Sequence, residues 1–510
     1  MDFNNHSRKI NSMLASGAGL INQIVQLLGN FVYRTIFLMI LSREYLGING
    51  LFTNVLQIFS LAELGIGTSI MYHMYSAFAK QDTEKIGQLL RFYRQVYSAI
   101  AVLVLVLGAA FYPFLDTIVN LEELPKDISL PAVYFLFVFN SVASYLFVYK
   151  RSLLTADQRE FKVVLFDAGV TLLGYVVRIV MLFVTGNYVL VLASGIAITV
   201  VSNGLFSLWI TGKYRAVTQV KTSLSKGERK NIFKGVGVLM CHKIGTVVVA
   251  STDNIVISKF VSLAAVGIYS NYGTLVSAIT KVAASMMNGM LPSVANFTAT
   301  ASKENAYKML KRILFVDMWI ASWTTICLFT LLNPFITVWL DESYLMSYAV
   351  VAVVCLQHYL QTARLPANFF VYGSGLFMKD MFRPLAEAII NLVVSVVLAK
   401  YYGIIGVFIG TCVSGLLTYI WREPYLLFKR HLCRSSAGYW LRQGKWFLIT
   451  VALSGGLYWL FSLLPGGLGW LLVRFALAVV IPNALILLLN AGSDELHYLI
   501  GFVKKKFLRK

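Results

Sequence analysis

Long apolar runs recur along the whole of this chain, and short polar connections separate them. A helix needs about 20 consecutive apolar residues to cross the hydrocarbon core of a bilayer, and run after run meets that length. The pattern predicts an all-α integral membrane protein with about fourteen transmembrane helices. The spans fall near residues 11–41, 46–75, 98–115, 131–148, 163–185, 188–210, 235–258 and 262–291. The remainder fall near 313–339, 344–372, 385–399, 402–419, 446–464 and 469–489. No soluble domain interrupts them, and the longest connections, 212–234 and 422–445, are polar and basic. The expected organisation is a six-span lobe over 1–212 and a cytoplasmic linker over 213–234. A second six-span lobe follows over 235–430, then a final helix pair with a basic tail over 431–510.

An internal repeat supports that division. A shift of about 220 residues lays the first two spans on the seventh and eighth without a gap. Leu46-Gly47-Ile48 then falls on Val266-Gly267-Ile268, and Glu84 and Leu90 fall on Glu304 and Leu310. Polar positions repeat as well. Gln23, Gln26, Asn30 and Arg34 share one helical face of the first span, and Lys243, Thr246, Ala250 and Asn254 stand at the shifted positions. Thr274, Ser277, Lys281, Ser285 and Asn288 form a stripe in the eighth span, with Asn54, Gln57, Leu61, Gly65 and Thr68 as counterparts in the second. Six spans per half give both halves the same orientation, related by an axis along the membrane normal, with a cavity between them.

The net charge of +21 would suggest nucleic acid in a soluble protein. Here about 34 of the 44 Lys and Arg residues fall in the termini and in alternate loops, and about four fall on the opposite side. That asymmetry is the positive-inside pattern. It places both termini in the cytoplasm, needs no nucleic-acid partner, and leaves lipid headgroups as the minor reading of the basic loops. The five cysteines lack paired spacing, so neither a disulfide, a metal site nor a cofactor is expected. The first apolar segment is too long for a signal-peptide core and lacks a small-residue cleavage site.

Six cations sit inside apolar segments: Arg34, Arg178, Lys243, Lys281, Arg364 and Arg474. Each costs about 2.5–3.5 kcal/mol at the centre of a membrane helix, so such residues persist where they face a protein interior or a wet path. Glu63 and Asp253 are the acids at comparable depth, because Asp167, Asp317 and Glu387 lie near the cytoplasmic helix ends. The excess of positive charge points to an anionic substrate. Arg34 and Lys281 read as cavity-lining cations, with a salt bridge as the competing reading and Glu63 as the natural partner of Arg34. Arg178 stands in a span that is otherwise apolar, and Lys243 pairs with Asp253 in the alternative reading; both positions stay open. Glu63 or Asp253 is also where a coupling ion would bind.

The tenth span carries Gln357, Gln361, Arg364 and Asn368 at spacings of four, three and four, which puts them on one face. Interhelical hydrogen bonding alone would explain the amides, but an arginine at that depth asks for water or an anion as well. Pro366 should bend this helix and free backbone groups that need partners. Arg474 reads as structural or interfacial, His358 as a hydrogen-bonded helix residue rather than a proton relay, and Gly47, Gly50, Gly65 and Gly67 as close-packing positions.

Some motifs are missing. No P-loop is present, so no nucleotide is hydrolysed by one. The loop 79–92 lacks the Gly-Asp-Arg-Gly-Arg signature of major facilitator transporters, and the first span carries no acid that would receive a cationic drug.

The stretches YLGINGLFTNVLQIFSLAELGIG (45–67), TDNIVISKFVSLAAVGIYSNY (252–272), EAIINLVVSVVLAKYYGIIGVFIGTCVSG (387–415) and REPYLLFKR (422–430) resemble the Wzx-type repeat-unit flippases of bacterial surface polysaccharides. These belong to the multidrug/oligosaccharidyl-lipid/polysaccharide (MOP) exporter superfamily, and the resemblance covers essentially the whole chain. It implies two six-helix lobes in a MATE-like V with a peripheral helix pair. It also implies a bacterial inner-membrane protein that is not an enzyme. The implied substrate is an undecaprenyl-diphosphate-linked oligosaccharide, carried from the cytoplasmic to the outer leaflet through a cationic cavity that Arg34, Lys281 and Arg364 would line. A polysaccharide polymerase and co-polymerase are the protein partners it brings into view. The rival readings are a lipid II flippase, a multidrug exporter of the same superfamily, and a membrane enzyme of polysaccharide assembly. A polymerase would carry a large extracytoplasmic loop, and none is present.

Overall fold

The computed structural model describes residues 5–63, 65–234, 236–291, 294, 297–298 and 301–507. Among them every regular element is helical. The long helices are α1 (Asn5–Ile40), α2 (Arg43–Phe59), α3 (Ile66–Ala79), α4 (Thr83–Phe111), α5 (Leu130–Ala156), α6 (Glu160–Thr185) and α7 (Tyr188–Lys213). They continue with α8 (Lys226–Lys234), α9 (Val236–Phe260), α10 (Leu263–Asn288), α11 (Lys303–Trp339), α12 (Tyr348–Ala363), α13 (Leu365–Gly373) and α14 (Arg383–Tyr402). The last four are α15 (Ile404–Leu432), α16 (Ala437–Ser462), α17 (Leu468–Leu489) and α18 (Asp494–Phe507).

Ten of the described helical segments are long and apolar enough to cross a membrane. They coincide with the expected first, third to sixth, ninth and eleventh to fourteenth spans. The other four expected spans are the second, seventh, eighth and tenth. The second and tenth are not continuous: α2 gives way to a turn at Ser60–Glu63 and restarts as α3 after Gly65, whose φ of 74° lies in the left-handed region. Arg364 separates α12 from α13, with Pro366 in the first turn of α13, where its missing N–H costs nothing. The seventh and eighth, α9 and α10, are continuous helices of 25 and 26 residues. The two breaks stand in segments that carry polar positions, as expected where backbone lines protein or water rather than lipid.

The chain forms two compact units, Met1–Gly267 and Ile268–Lys510. In the first, α1 lies along α6, α4 on α5, α5 and α6 on α7, and α9 on α2. Its core is aromatic at one end, with Phe37, Phe52 and Tyr134 fully buried, and continues through Met74, Tyr97, Leu153 and Ile210. Two close backbone approaches occur here. A Cβ on Gly47 would meet the carbonyl of Leu263 at 2.2 Å, and a Cβ on Gly267 would meet the carbonyl of Arg43 at 2.1 Å. Gly47 and Gly267 are equivalent in the repeat, and so are Arg43 and Leu263. Both close approaches lie within this unit, between α2 and the start of α10. The linker region is also fixed to this unit. Thr222 donates to Glu84, Lys85 pairs with Glu228 of α8, Arg91 donates to the carbonyl of Lys221, and Ser69 donates to that of Ile232.

In the second unit α11 is the central post, contacted by α12, α16 and α17. Asp317 on α11 is completely buried rather than set at a helix end, and its two carboxylate oxygens find no hydrogen-bond partner among the described residues. His358 is held between Thr280 at 2.7 Å and Thr324 at 2.8 Å. Arg474 of α17 donates to the carbonyls of Phe461 and Leu464 at the end of α16, the cation-to-C-terminus pairing that helix ends favour.

Candidate functional site

A cavity of about 450 Å³ opens in the first unit between α1, α5, α6 and α7. Local sequence builds its walls. Gly186 ends α6 in a left-handed conformation (φ 58°), and the Asn187 side chain then caps α7 by accepting from the Leu190 N–H at 3.1 Å. The two-residue turn makes α6 and α7 antiparallel neighbours. Two glycines hold space for larger groups. A Cβ on Gly29 of α1 would lie 2.3 Å from the Tyr175 ring, and one on Gly195 of α7 would lie 2.2 Å from Arg178 Nε.

The lining is polar for a bundle whose lipid-facing positions carry residues such as Leu172, Val176 and Leu208. α1 supplies Asn22 and Gln26, whose side chains stand 3.5 Å apart, and α5 supplies Arg151. α6 supplies Asp167, Thr171, Tyr175 and Arg178, and α7 supplies Thr199 and Asn203. Two arginines behave differently there. Arg151 is immobilised: Nη1 donates to Asp167 Oδ1 at 2.6 Å, Nη2 donates to Asn203, and its plane lies over Phe166 and Phe206 at 5.7 and 5.8 Å. Arg178 makes no ion pair among the described residues, and its Nε is buried without a hydrogen-bond partner. Asp167 is eleven residues away on the same helix, about 16 Å along the axis, and is already bound to Arg151.

Of the residues expected to line a substrate path, the cavity unites Gln26 and Arg178. Arg34 is buried on α1, 8% exposed. Gln23 is exposed and Asn30 half-buried on the same helix, and on α2 Asn54 is half-buried and Gln57 exposed. Glu63 accepts a hydrogen bond from Tyr97. On α9 Lys243 is exposed and Asp253 buried, and on α10 Ser277, Lys281 and Asn288 are exposed. The fifth span, expected to be apolar apart from Arg178, carries further polar positions. Asp167, Thr171, Gly174 and Arg178 recur at spacings of four, three and four, the same stripe that was recognised in the tenth span. That spacing was the signal for Asp167 and Thr171, and Asn22, four residues before Gln26, follows from the same rule.

The tenth-span stripe enters a different setting. Arg364 pairs with Glu423 of α15 and lies over the Tyr419 ring at 4.1 Å, and Asn368 donates to Glu423 at 3.0 Å. Arg383 joins Glu423 (3.5 Å), Asp380 (2.6 Å) and Glu387 (2.8 Å), and Arg422 joins Asp380 at 3.4 Å. Three arginines and three acids thus balance within one buried network. Gln443 donates to the Ala363 carbonyl at 3.2 Å, next to the break at Arg364, so a backbone group there has its partner. Gln357 is half-buried and Gln361 exposed on α12.

No curated protein matches the chain. Among solved structures, the lipid II flippase MurJ in an inward closed conformation superposes with a TM-score of 0.68 at 13% identity, covering 94% of this chain and 99% of that one. An inward-facing multidrug-resistance MATE family transporter of the MOP superfamily gives 0.58 at 15% identity, with 78% and 93% covered. A mutant of the Vibrio cholerae MATE transporter VcmN gives 0.54 at 12% identity, with 83% and 98% covered. At these identities the likeness is one of fold. The family described as "Polysaccharide biosynthesis protein" matches residues 13–298, more than half of the chain. The chain therefore belongs to the polysaccharide biosynthesis protein family, as a multi-pass membrane transporter with the fold of the MOP superfamily.

Proposed function

We propose that this protein flips an undecaprenyl-diphosphate-linked oligosaccharide repeat unit from the cytoplasmic to the outer leaflet of a bacterial inner membrane, for surface polysaccharide assembly. Both termini lie in the cytoplasm in this reading, as the charge asymmetry requires. The observation that carries it is the polar cavity of about 450 Å³ lined by helices that are apolar enough to span a bilayer. Sugar hydroxyls moved through hydrocarbon would lose their hydrogen bonds, at a cost of several kcal/mol for each unpaired group on alkane scales, so a glycan needs such a wet path. The polyprenyl tail has no such need and stays in lipid. Arg34, Lys243 and Lys281 are the other cations assigned to this path. Arg364 contributes through its network with Glu423, where its charge is already balanced.

Alternating access follows from the repeat: lobes 1–212 and 235–430 rock so that the path opens to one side and then the other. The linker 213–234 travels with the first lobe, because it is bound to α3 and α4 at several points. The test is translocation in proteoliposomes holding the purified protein and a fluorescent lipid-linked repeat unit, read by access of an external glycosidase. Protein-dependent exposure of the inner-leaflet pool is expected. Exposure of lipid II with none of the repeat unit would reassign the substrate, and exposure of neither would remove the flippase reading.

A further inference from the structure

We propose that Lys162, Lys213 and Trp209 form a site for the phosphodiester headgroup of an anionic phospholipid, on the outer surface of the first unit where α6 begins and α7 ends. None of the three lines the cavity described above. The indole is the platform. Trp209 lies 5.6 Å from Phe206 with the ring planes 6° apart, and Phe206 lies 4.0 Å from Phe166 of α6 at 7°. The stack holds the Trp209 ring in place, yet the residue is 46% exposed. Along α7, Val201, Leu205 and Leu208 are exposed at spacings of four and three, one helical face turned to hydrocarbon. An indole at the end of such a stripe stands at headgroup level. The charge asymmetry puts this end of α6 and α7 on the cytoplasmic side.

Two ammoniums from different helices converge on that ring. Lys162 Nζ, in the first turn of α6, is 5.8 Å from its centre, and Lys213 Nζ, in the last turn of α7, is 5.3 Å from it. Lys213 also feels Arg159 and Lys162 as like charges. The acid at hand is Asp157, and its Oδ2 already accepts from Tyr214 at 2.5 Å and pairs with Arg159 at 3.2 Å. Glu160 acts on Tyr75 of α3. Topology needs lysines on this side of the membrane, but it does not need two of them gathered on one exposed ring, where they repel. An anion between them turns that repulsion into attraction. A phosphodiester carries one negative charge and two free oxygens, one for each ammonium, and a basic pocket at cytoplasmic helix ends is where such headgroups bind. The glycerol then lies on the indole and an acyl chain runs down the stripe from Leu208 to Val201. A free anion would use the lysines and leave that apolar stripe without a partner. A lipid-linked diphosphate seated here would hold its glycan outside the cavity.

The experiment titrates the full chain, delipidated in detergent, with palmitoyl-oleoyl phosphatidylglycerol or phosphatidylcholine and reads bound lipid by native mass spectrometry. A phosphatidylglycerol with a photoreactive acyl chain, in nanodiscs, locates the site by peptide mapping. The first phosphatidylglycerol is expected to bind about twentyfold more tightly than phosphatidylcholine, and the label should fall on the segment 201–213. Lys162→Gln and Lys213→Gln should each weaken phosphatidylglycerol by about fivefold, and the double change should remove the preference and the label together. Equal binding of the two lipids, a label confined to other segments, or a preference that survives the double change would each overturn the site. So would displacement by glycerophosphate at equal concentration, which would make it a site for free anions. Displacement of the label by equimolar undecaprenyl diphosphate would overturn it too, by giving these residues to the transported lipid. All but the double change are read on the unaltered protein, so the test holds even if a variant does not fold.

Discussion

Two arginines occupy equivalent-looking stripes in the two units and meet opposite fates. Arg178 ends the series Asp167, Thr171, Gly174 at spacings of four, three and four, and it faces a cavity with its Nε unpaired. Arg364 stands third in the series Gln357, Gln361, Arg364, Asn368 at the same spacings, and it is gripped by Glu423 inside a network with as many acids as bases. The helical face is alike in both. The difference is whether a distant segment delivers an acid. α15 runs on beyond the expected span end, and that extension carries Glu423 to Arg364, whereas α7 brings Gly195, which offers Arg178 only space. Of these two arginines, only Arg364 receives an acid among the described residues.

The sharpest way to break this contrast is to remove the acid. Glu423 is about 1% exposed, and Glu423→Ala leaves Arg364 buried without its partner. That should cost about 3–5 kcal/mol and show as a large drop in thermal unfolding temperature and in abundance. Replacing both partners together, Arg364→Met with Glu423→Leu, should cost much less than the sum of the single changes. Arg178→Gln, by contrast, should change stability by under about 1 kcal/mol while lowering transport of the repeat unit at normal abundance. Equal destabilisation by Arg178→Gln and Glu423→Ala would erase the distinction.

Membrane potential sharpens it from another side. Outward movement of an anion down an inside-negative potential is favoured by about 2.3 kcal/mol per charge per 100 mV. The same potential favours the inward return of an uncompensated cationic site, and a balanced network such as that of Arg364 contributes nothing. Proteoliposomes clamped inside-negative should therefore flip faster than unclamped ones, with no sodium or proton gradient. Flipping that ignores the potential and stops when an ion gradient is removed would mean that the cycle's net charge is set elsewhere, with Asp253 or Glu63 as the ion's place.

Close backbone contact is the next smaller effect. Gly267→Ala puts a methyl 2.1 Å from the Arg43 carbonyl, and Gly47→Ala puts one 2.2 Å from that of Leu263. Each should cost about 1–3 kcal/mol and, because the contacts are reciprocal, the two should cost nearly the same. A large inequality in unfolding temperature would show that the two halves of the repeat do not share this contact evenly.

How much of this was legible follows from distance along the chain. Apolar length is a local sum, and it locates the helices well; ten expected spans coincide with apolar helical segments. Helix breaks at Gly65 and Arg364 depend on backbone freed at one residue, and Pro366 announced only the second. The stripe of the fifth span was readable by the same spacing rule that found the tenth, but its polarity rests on a threonine and a glycine, which hydropathy scores as neutral. Pairings were hidden. Glu423 lies 59 residues from Arg364 and was taken for part of a connection, and Asp317, expected near a helix end, is buried by α12 and α16 closing over α11.

The smallest expected effect concerns charge in water, the third setting in this molecule. Glu228 of α8 is paired with Lys85 of α4 and accepts from the Ser225 side chain and backbone at 2.9 and 3.0 Å. The Lys85 hydrogen bond first, and those from Ser225 next, hold its carboxyl from an ordinary 4.5 down to about 2. A depressed acid contributes stability that is fully present above its unfolded value and is lost as the pH falls through the folded one. The linker should therefore stay docked on α4 from neutral pH to about 4.5 and loosen progressively toward about 2. Both partners are partly exposed, so salt screens the pair and the effect is small beside that of the buried Glu423. Amide exchange across 221–234 should rise over that window and match the rise that Glu228→Gln produces at neutral pH. Exchange that stays flat in both would mean that Ser69, Arg91 and Thr222 hold the linker without the ion pair, and that charge matters in this protein only where water is excluded.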